Sequence, residues 1–377
     1  MVSTKSRSSL FLGEENHLIG RAGYMTAGST RVFKAAMLAM SVVSALQLQI
    51  ETASAEDRPA KEVFGHMALP SATGSQPIGS YAKGCQSGAI AMPTDGPGWQ
   101  AMRLSRNRRW GQPQLISFLE RFSQDAQKIG WPGLLLGDIS QPRGGPMLTG
   151  HASHQIGLDV DVWWRPMPTP RLTVEQRETV PFISMLDKSK FLTVDDRKWS
   201  PLNARLVMMA ASYPQVERVF VNPAIKQKLC QTWTGDRRFM GKIRPIYGHD
   251  EHFHIRLECP PGAPNCKPQA EVGKGDGCDK SLAWWFTKEP WAPPKKDPNA
   301  KPVKPRQVMV SDLPAACAAV AAAPSANPEG IAAQAYSPTP AQAPAARQQN
   351  VEQVIQAAPA LQPPSDIPLP SQRPTLN

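Results

Sequence analysis

Five of the seven histidines of this 377-residue chain fall in two short segments, His151-Ala-Ser-His154-Gln-Ile-Gly-Leu-Asp159-Val-Asp161 and His249-Asp-Glu-His252-Phe-His254. Neutral imidazole and carboxylate are the ligands zinc prefers, and a catalytic zinc takes three protein ligands and keeps one position open for water. His154, Asp161 and His254 make such a set and leave His252 as an acid–base group. The bland alternative is polar residues on exposed strand faces. A lone His-x-His carries little weight, but its pairing with a histidine and an aspartate seven residues apart is far more specific. The residues therefore point to a zinc hydrolase.

Two extended segments must present these groups. Alternate side chains of a strand share a face, so His252, His254, Arg256 and Glu258 project one way while Phe253, Ile255 and Leu257 enter the core. Upstream, Asp159 and Asp161 share a face opposite Leu158, Val160 and Val162, and Gly157 lets the backbone turn after His154. Leu115, Ile116, Phe118, Leu119 and Phe122 follow Pro113 at helical spacing and predict a helix to about Ile129. Ser200 and Pro201 start a second helix that runs to about Ser212. Leu134–Ile139, Val216–Val221 and His252–Glu258 read as strands, Ala224–Leu229 as a short helix and Gln141–Met147 as a glycine/proline loop. Helices and strands mix without regular alternation, so the expected class is α+β, a central antiparallel sheet with helices packed around it.

Composition separates both ends from this core. Many of the 39 prolines lie after about residue 288, where long Ala/Pro/Gln stretches carry too few large apolar residues to build a core. Residues 289–377 are expected to be a disordered, partly polyproline tail with an anchor at Cys317, following a zinc-hydrolase domain over 56–288. Residues 1–55 read as an export signal: Arg31 and Lys34, an apolar stretch from Ala35, then Ala53-Ser-Ala55 as the cleavage site. The stretch is shorter than the roughly 20 residues a membrane span needs, and Met25 is an alternative start. Loss of 1–55 removes five basic and three acidic residues, so the net charge falls from +11 to +9. A basic exported protein is drawn to an anionic polymer such as cell-wall peptidoglycan; no basic-aromatic nucleic-acid motif is present. Six cysteines, Cys85, Cys230, Cys259, Cys266, Cys278 and Cys317, follow the signal and suggest three disulfides, with fifteen pairings open. Cys259 and Cys266 flank a loop that could close locally, and Cys85 with Cys317 would tie the two ends of the core.

Gly150 to Asp161 together with the His-x-His strand resembles the penicillin-insensitive murein endopeptidases, zinc peptidases grouped with lysostaphin-like enzymes, D-Ala-D-Ala peptidases and the sonic hedgehog fold. Gly79-Ser-Tyr-Ala-Lys-Gly-Cys85 and Arg218–Cys230 extend the resemblance, which covers about Ser75 to Phe286. It implies a periplasmic enzyme that cleaves peptide cross-links in peptidoglycan, with His154, Asp161 and His254 on zinc and His252 and His249 as active-site histidines. His151 matches a further histidine that can hold metal in relatives. Lys190 stands three residues after Asp187 where relatives carry a histidine for a second metal, and lysine is a poor ligand at neutral pH. The resemblance also implies the pairings Cys85–Cys317, Cys230–Cys278 and Cys259–Cys266. No stable membrane insertion is expected once the signal is removed, and a homodimer is left open.

Several residues keep two readings. Glu251 has the Glu-x-x-His254 spacing of a general base, but an ideal strand turns it away from the metal. Ser80-Tyr-Ala-Lys83 matches Ser-x-x-Lys without an accompanying Lys-Thr-Gly, which argues against a penicillin-sensitive serine enzyme. Trp163, Trp164, Trp284 and Trp285 stand either in the core or along a glycan-peptide groove. The competing functional readings are a zinc D-Ala-D-Ala carboxypeptidase or dipeptidase and a wall-binding metal protein without turnover.

Overall fold

The computed structural model describes residues 58–293 and 306–327. The expected signal over 1–55 and the tail beyond 327 lie outside these residues. In chain order the strands are β1 (Gln76–Ser80), β2 (Lys83–Ser87), β3 (Ile90–Ala91), β4 (Asp95–Gly96), β5 (Trp99–Ala101), β6 (Trp110–Gly111), β7 (Leu134–Leu136), β8 (Asp159–Trp163), β9 (Val216–Val221), β10 (Ile243–Pro245) and β11 (His252–Leu257). The helices are α1 (Ala60–Gly65), α2 (Pro113–Lys128), α3 (Val174–Thr179), α4 (Pro201–Ser212), α5 (Pro223–Thr232), α6 (Lys280–Trp284) and α7 (Ala316–Ala322). The class is α+β, as expected.

Seven strands form the main sheet in the order β10-β9-β11-β8-β7-β5-β4. Its centre is antiparallel, β9-β11-β8-β7, and two outer pairs, β9–β10 and β5–β7, are parallel. Val160, Val162, Phe253 and Ile255 are fully buried, which fixes which side of β8 and β11 packs on the helices. The opposite side of the same two strands carries the aspartates and histidines.

α2 begins at Pro113, whose missing N–H costs nothing in the first turn. It buries Leu115, Ile116, Phe118, Leu119, Phe122 and Ala126, a stripe at the helical repeat. Phe118 and Phe122 stack at 5.5 Å and both meet the edge of Tyr213; burying each phenyl ring contributes about 1.5–3 kcal/mol. The helix stops where Gly130 takes φ +94, with Trp131 N donating to Ala126 O. α4 also starts on a proline, with Ser200 N donating to Asn203 Oδ1, and packs Leu206, Val207, Ala210 and Ala211 inward.

A second apolar cluster joins the two ends of the described chain. Phe64 of α1, Ile78, Cys85, Val310, Leu313, Cys317 and Val320 pack together. All three implied disulfides are present: Cys85–Cys317, Cys230–Cys278 and Cys259–Cys266. Among the described residues no helix is long and apolar enough to cross a membrane.

Candidate metal centre

The register between β8 and β11 does the first part of the assembly. His254 pairs directly across from Asp161, and Arg256 across from Asp159. Directly paired residues in an antiparallel sheet hold their Cβ atoms about 4.5–5.5 Å apart, so this register alone brings His254 and Asp161 together. His151 and His154 arrive on the loop between β7 and β8. His154 has a left-handed backbone, φ 66, a conformation that costs a non-glycine residue about 1–3 kcal/mol unless its surroundings hold it. Here Asp159 Oδ2 accepts from His154 N at 3.0 Å, and Ser140 Oγ donates to His154 O at 2.5 Å. Gly157 follows at φ +71, where a Cβ would lie 1.8 Å from Gln86 Oε1.

The imidazole of His154 is fully buried, and its Nδ1 donates to Ile139 O at 2.7 Å. In the neutral ring that bond fixes the tautomer and turns the Nε2 lone pair toward Asp161 Oδ1 at 3.3 Å; in the absence of a metal the same position takes a proton. His254 Nδ1 lies 3.6 Å from the same oxygen, while its Nε2 stands 2.9 Å from Asp159 Oδ1. His151 Nε2 is 3.6 Å from Asp161 Oδ2 and 3.0 Å from Asp138 Oδ2. The ligand atoms of His151, His154 and Asp161 all fall within 4.8 Å of one another.

His154 Nε2 and Asp161 Oδ1 are buried and make no hydrogen bond. Leaving such groups unpaired is costly. Ligand atoms on a tetrahedral zinc stand about 3.4 Å apart, given bonds of about 2.0–2.1 Å. The observed spacings around Asp161 Oδ1 are close to that value, so the donor set fits a cation.

Charge points the same way. Asp159 is paired by Arg256, whose Nε donates at 2.7 Å and Nη2 at 3.1 Å. Among the described residues Asp161 has no lysine or arginine partner, only imidazoles. Burial opposes its charge, but His252, His154 and His151 hold its carboxyl well below the usual range. At His154 burial is outweighed by Asp161 and Asp159, which hold the imidazole up at about 9. Burial brings His254 down to about 4. His249 falls to about 3 through burial, reinforced by the positive potential of His252 and His254.

The other expected residues rim this cluster. His252 Nε2 lies 3.5 Å from Asp161 Oδ1, and its side chain is 23% exposed. The ring of His249 is 4.9 Å from that of His252, and its Nδ1 donates to Tyr247 O at 2.8 Å. Glu251 is held by its carbonyl, which accepts from Trp164 N, and among the described residues its carboxylate joins no hydrogen bond or ion pair of the cluster. Asp187 is taken up by Ser189 and Lys190. Ser80 and Lys83 merely pair across the β1–β2 turn. The tryptophans divide: Trp163 and Trp164 are 2% and 1% exposed and belong to the core, whereas Trp284 is 38% exposed.

Sequence reading passed over Asp138. Its side chain is 3% exposed and accepts from Arg106 at 3.1 Å, Arg108 at 3.0 Å and His151. Burial raises its carboxyl, but His151 and then Arg106 outweigh that and leave it at about 2. Its signal in the sequence is its place just after the apolar run Leu134–Leu136; the arginines that pair with it stand 32 and 30 residues earlier.

Residues 77–322 match the family model described as penicillin-insensitive murein endopeptidase. The chain is 46% identical over 239 residues to a protein of that name from Haemophilus influenzae, covering 63% of this chain and 80% of the relative. It is 40% identical over 230 residues to one from Klebsiella pneumoniae, covering 61% and 81%. A third, from Yersinia enterocolitica, is 35% identical over 264 residues, covering 67% and 87%.

Proposed function

Because the chain belongs to the penicillin-insensitive murein endopeptidases, we propose that it is a periplasmic zinc-dependent DD-endopeptidase hydrolysing the D-alanyl–meso-diaminopimelyl cross-links of peptidoglycan. The observation that carries the zinc reading is the meeting of His154 Nε2 and Asp161 Oδ1, both buried and without hydrogen bonds. His154, Asp161 and His254 would hold the ion, and His151 would join as an accessory ligand only by turning its Nε2 from Asp138 to the ion. Three disulfides in the described chain suit an oxidising compartment. The proposed organisation is a signal over 1–55, a peptidase domain over 56–288, and a tail over 289–377 anchored through Cys317.

A zinc bound there would supply Lewis acidity to the scissile amide carbonyl, and the attacking group is a water, its oxygen ending in the new carboxylate and its proton on the leaving amine. The remaining work falls to side chains. His252 faces solvent in part and would stabilise the developing oxyanion or pass a proton to the leaving amine. His249, whose Nδ1–H is committed to Tyr247 O and whose basicity burial lowers, keeps Nε2 free to accept a hydrogen bond. Arg256 and Asp159 neither donate nor accept protons in this scheme; they hold the His254 ring in place. The chain needs no nucleophilic serine, which accounts for insensitivity to a β-lactam.

The test is incubation of the protein without its signal with a defined cross-linked muropeptide dimer, read by mass spectrometry. We expect conversion to monomers, lost with chelator, restored by zinc, lost in His254→Ala and unchanged by penicillin. Dimers that lose only terminal D-alanine would make it a carboxypeptidase. Bound zinc without turnover would leave a wall-binding scaffold.

A further inference from the structure

Two segments tied beside the histidine cluster, and a third that follows α6, converge on an aromatic surface that the cleavage chemistry does not use. Phe191 follows Lys188, whose Nζ donates to Asp250 Oδ2 at 2.6 Å. Tyr247 accepts the hydrogen bond from His249 through its carbonyl. Trp285 and Trp291 follow α6. Ring centroids are 4.8 Å apart for Tyr247–Trp285, 5.1 Å for Tyr247–Trp291 and 5.8 Å for Phe191–Trp291. Phe191 is 61% exposed. With Phe286, Lys288 and Trp291 it lines a surface cavity of about 620 Å³.

The polar tips of these rings are already engaged. Tyr247 Oη donates to Pro290 O at 2.5 Å, Trp291 Nε1 to Trp285 O at 2.8 Å and Trp284 Nε1 to Glu289 Oε2 at 2.9 Å. Such bonds fix ring orientation, so little side-chain entropy remains to be lost on binding. What the surface offers is aromatic rings with a lysine beside them, Lys288 in the cavity wall; Lys188 and Lys190, mostly exposed, are already paired with Asp250 and Asp187. Aromatic faces carry the negative part of the ring quadrupole, which suits the C–H face of a pyranose. Lys288 suits a carboxylate. Murein combines both, and an apolar protein partner would make no use of the cation.

We propose that this face is a glycan-strand subsite: sugar rings of peptidoglycan stack on Phe191, Trp291 and Trp285, with Lys288 meeting a carboxylate, while the stem peptide enters the histidine cluster. The proposal rests on the murein-peptidase reading for its substrate, and its test does not need turnover. Peptide-free glycan strands, stripped by an amidase, are titrated into the protein by calorimetry. The wild type should bind, and Phe191→Ala and Trp291→Ala should each weaken binding about tenfold, the scale of one aromatic contact. Phe191 is too exposed for its loss to unfold the core, so its variant guards against a folding artefact. In kinetics, the ratio of kcat/KM for a sugar-bearing dimer over a sugar-free cross-linked peptide should drop about tenfold in both variants. Failure of the wild type to bind strands, or variants that bind as well as it does, overturns the subsite. Self-association lost in Phe191→Ala without strand binding would also overturn it and assign the face to a second copy. Strand binding without hydrolysis of any dimer would instead overturn the peptidase reading and leave the subsite standing.

Discussion

Asp159 shows how much one side chain outside the proposed ligand set can do. Its two oxygens accept from His154 N and from Arg256, and stand 2.9 Å from His254 Nε2. Asp159→Asn would leave Arg256 as a buried charge without its partner, at a cost of about 3–5 kcal/mol. It would also slacken the His254 ring, and losing such a supporting contact lowers metal affinity about 10–100-fold. Replacing both residues, Asp159→Asn with Arg256→Met, should recover most of the stability but not the affinity. Urea denaturation reads the first quantity and zinc competition against a chelator the second. If both recover together, Asp159 only holds the fold. The period-two pattern put Asp159 beside Asp161 and Arg256 beside His254, so their shared faces were legible. Their pairing was not, because register across two strands about a hundred residues apart leaves no mark in local spacing.

At the scale of elements, legibility followed how local the determining forces are. α2 and α4 were readable because proline, cap and apolar stripe all lie within the helix itself. The strand expected over Leu134–Ile139 is regular only over Leu134–Leu136; Gly137 N and Asp138 O still bond to the Asp161 backbone, and the Ile139 carbonyl turns to accept from His154 Nδ1. α5 runs past the expected Leu229 to Thr232, capped by Asn222 and bound through Cys230 to Cys278. It also buries Lys226 completely, with Nζ donating to Met240 O at 2.7 Å and Asp276 O at 2.6 Å. Burial lowers this ammonium from 10.5 to about 7. Between those values the unfolded chain binds more protons than the folded one, so stability should rise with pH across that window. The slope has an upper limit of about 1.4 kcal/mol per pH unit, reduced by the two carbonyl contacts that favour the charged form. Lys226→Met should flatten the rise between pH 7 and 9 in urea titrations. An unchanged slope would mean that Lys226 stays charged in its carbonyl clamp.

For the whole molecule, the informative feature is how the chain closes on itself. Arg143, in the loop that leads to His151, donates to the carbonyls of Val320, Ala321 and Ala323 at the end of α7. Cys317 of the same helix is bonded to Cys85 on β2. The segment near Cys317 therefore braces the loop that carries His151 and His154. From sequence it showed only as an anchoring cysteine, because its apolar residues are few and their partners, Phe64 and Ile78, lie more than two hundred residues earlier. A cross-link chiefly restrains the unfolded chain, and the restraint grows with the logarithm of the loop it closes. Cys85 and Cys317 are 232 residues apart, Cys259 and Cys266 only 7. Removing the first pair as Cys85→Ala with Cys317→Ala should therefore cost about 3 kcal/mol more than removing the second pair, by the loop-entropy relation. Urea denaturation of the two double variants measures the difference. Equal losses would mean that the Arg143 clasp and the Phe64–Val320 cluster already hold the segment without the sulfur bridge. If the difference appears, mild reduction that opens Cys85–Cys317 should also loosen the Arg143 contacts, and with them the loop bearing His151, before the sheet unfolds.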